Sequence, residues 1–178
     1  KDGRVAMTNA AWVVDEAEVD RLLGCHHICL VNDLEAVARA IPELGTKDVH
    51  LLQGNLHKVT DKYRAIAVNV GTGFGAAGLI RTRSSFVTLA SEAGHMSYDA
   101  VISSTKTTAT IEDFLSGPGL VAHYMKTTKL KRKDISARDV FAAVGKDPSA
   151  SETIATFSQA LGRATSNLVL AHAAWSGA

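Results

Sequence analysis

The stretch AIAVNVGTGFGAAGLIR (residues 65–81) decides the fold. Residues 65–70 are a run of strand length, apolar but for Asn69 and β-branched at Ile66, Val68 and Val70, and three glycines follow within five positions at Gly71, Gly73 and Gly75. Glycine lets a backbone turn tightly and bring its amides close to a phosphate, with no Cβ in the way. Gly71, Thr72, Gly73, Phe74 and Gly75 are therefore candidate phosphate ligands, and two architectures compete for them. Gly71-x-Gly73-x-x-Ala76 fits the dinucleotide fingerprint, and Glu92 falls about twenty residues on, where a ribose-binding acid belongs. That fingerprint needs a helix directly after the turn, yet only residues 77–83 precede the next polar turn and Gly78 interrupts them. A β-hairpin, with 76–80 returning as the paired strand, is favoured. No Gly-Lys-Ser/Thr follows, so the turn is not a Walker A loop.

Upstream, residues 5–12 read as extended, with a turn at Thr8-Asn9. Asp15 followed by Glu18 resembles a capping box that opens a short helix ending at Gly24. Residues 28–31 read as a buried strand, and 34–41 as a helix stopped by Pro42, which lacks an amide and disfavours helix before it. Asn32-Asp33 lies between the two, where α/β folds present side chains to ligands. The same residues could simply cap the helix. The polar stretch 45–62, with weak strand character at 49–52, is the candidate boundary between two lobes. The cysteines, Cys25 and Cys29, lie in CHHICLV; four strand residues span about 13 Å, too far for a disulfide. They are expected to be small buried hydrophobes, reduced as in the cytoplasm.

Downstream, 86–89 reads as a strand and SEAGH (91–95) as a turn in which Glu92 accepts and His95 donates hydrogen bonds to a polyol, or as an exposed loop. Glu112, four residues before SGPG (116–119), has nothing in its own surroundings to distinguish it from a helix-surface carboxylate. SGPG reads as a turn before a helix over 120–126. The basic run 126–133 lacks interleaved aromatics and reads as solvated surface. The last helix, 152–175, puts Ile154, Phe157, Leu161, Ala164, Leu168, Ala171 and Trp175 on one core-facing stripe.

Across 178 residues the hydrophobic fraction is 46% and the charged fraction 21%, as in ordinary globular proteins, with a formal charge of +1. That balance supplies no field for nucleic acid or anionic lipid, and no apolar run is long enough to span a bilayer. Neither nucleic acid nor membrane is an expected partner, and no metal-ligand spacing is evident.

In order, MTNAAW, VND, VGTGFGAA, SEAGH and EDFLSGPGL resemble the bacterial-type ATP-dependent glucokinases of the hexokinase, acetate kinase and actin superfamily. The resemblance runs from about Val5 to the final helix. The related ROK sugar kinases carry a cysteine-rich zinc motif after the sugar-site histidine, and nothing of that kind follows His95. The resemblance implies an α/β, actin-like ATPase (ribonuclease H-like) two-lobe fold, with residues 1–42 in the smaller lobe, 43–62 connecting, and 63–178 in the larger. It implies phosphorylation of glucose to glucose 6-phosphate with ATP and Mg²⁺, in the cytoplasm or in an organelle such as a glycosome. A homodimer is allowed. Asp33 corresponds to the general base. Asn32, Glu92, His95 and Glu112, with Asn9 on a sugar-side loop, correspond to sugar ligands, and Gly71–Gly75 to a phosphate loop. The family's Asp-x-Gly-Gly-Thr phosphate motif and its adenosine segment are absent from these residues, so a truncated chain, inactive by itself, is expected. Sixteen residues separate His95 from Glu112, fewer than relatives have. A dinucleotide-binding oxidoreductase and a non-catalytic sugar sensor of the kinase fold are the alternatives.

Overall fold

A computed structural model describes residues 3–7, 10–25, 27–54, 59–98, 109–130 and 134–174. At its centre three antiparallel strands, β3 (Arg64–Val70), β4 (Phe74–Arg81) and β5 (Phe86–Ser91), pair in sequence order. In the β3–β4 register Val70 faces Phe74, so the glycine turn closes a hairpin. Residues 74–81 are strand, which leaves no helix for a dinucleotide fingerprint.

Strand alternation sends side chains to two faces, and helices cover both. On one face Ala65, Ala67, Ala77 and Leu79 are buried beneath α2 (Asp33–Ala40), which contributes Leu34 and Ala38. Alanine and glycine on this face let the helix approach closely. On the other face Ile66, Phe74 and Ala76 form a cluster with Phe114, Leu120, Phe157, Ala164 and Leu168. These last residues come from α3 (Ile111–Phe114), α4 (Gly117–Thr128) and α6 (Pro148–Ala171). The result is a helix–sheet–helix sandwich. The expected lobe boundary separates α2 from the sheet in sequence, yet α2 packs directly on it.

Asp147 caps α6 by accepting from the Ser149 amide at 2.8 Å, and Pro148 occupies the first turn, so the helix begins four residues before the expected 152. Along the expected stripe Phe157, Ala164 and Leu168 are buried, Ile154 and Leu161 are half-buried, and Ala171 is exposed; Trp175 lies outside the described residues. A short helix, α5 (Ala137–Ala142), starts in a capping box between Ser136 and Asp139. Lys126 and Lys129 of the basic run are exposed as expected, while 131–133 lie outside the described residues.

Near the amino end β1 (Arg4–Ala6) pairs with β2 (Val13–Asp15), and Asp15 caps α1 (Glu16–Leu23), which ends at Gly24 in a left-handed conformation. The expected strand at 28–31 does not form. Ile28 and Leu30 are half-buried and Cys29 and Val31 exposed, the alternation of a strand, but no described strand pairs with them. Instead the Leu30 amide donates to Glu16 Oε1 at 2.6 Å. Cys25 and Cys29 are exposed thiols, not the buried hydrophobes expected. The weak strand expected at 49–52 is irregular chain.

Candidate functional site

The glycine turn, SEAGH and EDFLSGPG are far apart in sequence and meet at one end of the sheet. Thr110 and Asp113 form a capping box: the Asp113 amide donates to Thr110 Oγ1 at 3.2 Å and the Thr110 amide to Asp113 Oδ2 at 2.8 Å. The Thr110 amide, then its hydroxyl, holds the Asp113 carboxyl below the ordinary carboxylate range, with a smaller pull from the His95 ring. This box fixes the one-turn helix that carries Glu112. The Glu112 carboxylate crosses to the turn, where its Oε2 accepts from the Phe74 amide at 2.9 Å.

A second tie lies beside it. The Gly117 amide, at the start of α4, donates to the Gly71 carbonyl at 2.7 Å. Ser116, 3% exposed, caps α4 by accepting from the Gly119 amide at 3.1 Å. SGPG is therefore the cap and first turn of a helix. The sequence reading takes 116–119 as a turn and gives Ser116 no cap role, although a serine just ahead of a proline in the first helical turn carries the N-cap signal.

SEAGH joins through backbone. The Ile111 amide donates to the Met96 carbonyl at 2.9 Å, and Ser97 bridges to Thr110, which brings residues 93–97 alongside the start of α3. Gly94 is required there, because a Cβ would collide with the Phe74 carbonyl. His95 Nε2 lies 3.8 Å from Glu92 Oε2, and both side chains are largely exposed, open to a ligand.

Asn32 and Asp33 open α2 on the other face of the sheet, at the same end, since a Cβ on Gly75 would lie 2.8 Å from the Leu34 side chain. Asn32 Oδ1 accepts from the Leu34 amide at 2.9 Å, so the capping expected of this pair is real. Asp33 Oδ1 accepts from the same amide at 2.8 Å, and both residues remain exposed. Asn9 lies outside the described residues.

Gly71 and Thr72 are exposed, and the amides of Thr72 and Gly73 reach no acceptor among the described residues. A Cβ on Gly73 would meet the Glu112 carboxylate and displace it from its place beside the turn. Such a cradle of donors fits phosphate oxygens. The described residues contain no cluster of three or more His, Cys, Asp or Glu that could hold a metal ion.

The sequence profile of the glucokinase family matches residues 1–178. This chain belongs to the glucokinase family. A glucokinase from Escherichia coli O139:H28 is 37% identical over 153 residues, covering 75% of this chain and 47% of that protein. The chain thus spans about half the length of the curated glucokinases it matches. A glucokinase structure from an Antarctic psychrotroph aligns with 100% of the chain and 61% of its own length, at TM-score 0.82 and 26% identity. At 19% identity, a Balamuthia mandrillaris glucokinase in complex with glucose shares the fold at TM-score 0.72, covering 96% of this chain and 57% of that one. The fold of this glucokinase-family chain is accordingly that of the actin-like sugar kinases, mixed α/β, and no described helix is long and apolar enough to cross a membrane.

Proposed function

We propose that the protein transfers the γ-phosphoryl group of ATP to the 6-hydroxyl of glucose. The observation that carries this reading is the Phe74–Glu112 hydrogen bond, which joins the glycine turn to the carboxylate helix in a chain of the glucokinase family. Phosphoryl transfer asks a protein mainly for positioning and electrostatic stabilisation, and the arrangement is suited to both.

In this reading the sugar lies between the start of α2 and the Glu92–His95–Glu112 group. Asp33 takes the proton from the 6-hydroxyl as its oxygen bonds to the γ-phosphorus and the bond to ADP breaks. An exposed carboxylate is adequate for this, since proton transfer is late. Asn32 Oδ1 is engaged by the Leu34 amide, which leaves its NH₂ group to donate to the sugar. Glu92 and Glu112 accept from hydroxyls, His95 donates, and Asn9 is read as a further sugar ligand. Within the 71–75 turn, the amides of Thr72 and Gly73, which reach no acceptor among the described residues, hold ATP phosphates. With no acidic cluster of three among the described residues, Mg²⁺ is read as arriving on the nucleotide. Residues 1–42 belong to the smaller lobe and 63–178 to the larger, with α2 seated where they join. Their closure would exclude water from the reacting phosphate.

The test is a coupled assay for glucose 6-phosphate, run on the full-length product of the open reading frame with ATP, Mg²⁺ and glucose. Glucose-dependent ADP formation is the expected result. Glucose binding with no turnover would instead favour a sugar sensor and overturn the proposal.

A further inference from the structure

Glu112 makes a contact that sugar binding alone does not require. Its Oε2 accepts from the Phe74 amide at 2.9 Å across 38 residues of sequence. The carboxylate lies in a slot between two glycines. A Cβ on Gly73 would strike Oε2, and a Cβ on Gly94 would come within 3.5 Å of it. The Phe74 ring is buried in the core, so that residue is fixed on its side-chain side and its amide faces the carboxylate. The opposite end of the turn is held separately, by the Gly117 amide on the Gly71 carbonyl at 2.7 Å. An ionised carboxylate has about four lone-pair positions on two oxygens, and among the described residues the Phe74 amide takes one, on Oε2. Half-buried Glu112 therefore retains acceptor capacity on Oε1.

We infer that Glu112 is a positioning residue that sets the shape of the glycine turn through the Phe74 amide and transmits sugar occupancy to the phosphate site. The inference rests on the functional reading above and deepens it. When a sugar hydroxyl donates to the carboxylate, it competes for the negative charge that holds the Phe74 amide, and the turn responds. The reverse holds by linkage: whatever factor glucose applies to ATP affinity, ATP applies to glucose affinity.

Two variants separate the roles. Glu112→Gln retains an oxygen that can accept from the Phe74 amide but loses the charge; Glu112→Ala loses both. Amide hydrogen exchange is followed at Phe74 in the full-length protein, alongside KM for ATP and for glucose. In Glu112→Ala the Phe74 amide should exchange about 10-fold faster or more, a typical consequence of losing a hydrogen bond to a charged group. KM for ATP should rise with it. Glu112→Gln should rescue both, with KM for glucose still raised. Saturating glucose should change Phe74 exchange in the unsubstituted protein.

A Glu112→Ala variant with wild-type Phe74 exchange and unchanged KM for ATP, its defect confined to glucose, would overturn the inference. So would parallel loss of protection along α6, which marks general destabilisation, or a Phe74 amide indifferent to bound glucose. If the unsubstituted protein neither binds nor phosphorylates glucose, the functional reading fails, and the Ala and Gln exchange rates still decide whether Glu112 holds the turn.

Discussion

Thr153 is fully buried in α6, and its hydroxyl has no hydrogen-bond partner among the described residues. A buried, unsatisfied hydroxyl costs about 1–3 kcal/mol, and valine has nearly the same shape. Thr153→Val should therefore stabilise the protein by about 1 kcal/mol in urea unfolding. His123 yields a prediction of a different kind. Burial, then the nearby Lys126 cation, lowers its pKa below the ordinary 6.5, and Glu152 only partly opposes them. The folded state thus favours the neutral ring, while the unfolded chain takes up the proton first. Its stability is full above pH 6.5 and falls as pH drops through 6.5 toward the folded value. Replacing His123 with glutamine should flatten the dependence of Tm on pH between about 7 and 5. An unchanged slope would show that the ring is not protected. Among the site residues, the local sequence makes the Asn32 cap legible, because a cap is satisfied within three residues. Glu112 is not legible in that way, since its partner lies 38 residues away and only the folded chain joins them.

Elements follow the same division between local and distant causes. The hairpin 64–81 is readable because strand, glycine turn and strand are contiguous, and the two capped helices near the amino end carry their signals locally. The expected strand at 28–31 has the right alternation, but a strand exists only through a partner, and among the described residues none is there. Helices α5 and α6 start at Ser136 and Asp147, caps that their apolar patterns alone do not mark. Ser116 has the strongest claim as a structural cap, since it is buried and its helix also ties down Gly71. Ser116→Ala should cost about 1 kcal/mol of stability, measured by urea unfolding. In the last helix Phe157 packs 6.3 Å from Phe114, centroid to centroid, within the main core. Phe157→Ala should cost about 3–5 kcal/mol, and a loss below 1 kcal/mol would contradict its place in that core.

At the scale of the molecule, one end of a three-stranded sheet gathers the glycine turn, the Glu92–His95 pair, Glu112 and, from the opposite face, Asn32-Asp33. The order of these blocks along the chain was visible in the sequence; their convergence required the sandwich of α2, sheet and α3–α4–α6. The central claim is that this end of the sheet phosphorylates glucose with Asp33 as base. Asp33→Asn tests it most directly, because the amide oxygen can still accept from the Leu34 amide while basicity is lost. The decisive measurement is kcat for glucose-dependent ADP formation beside glucose affinity, in the full-length product of the open reading frame. Loss of a general base predicts a fall in kcat of about 10²–10⁴-fold with glucose binding retained. An unchanged kcat in Asp33→Asn would contradict the assignment.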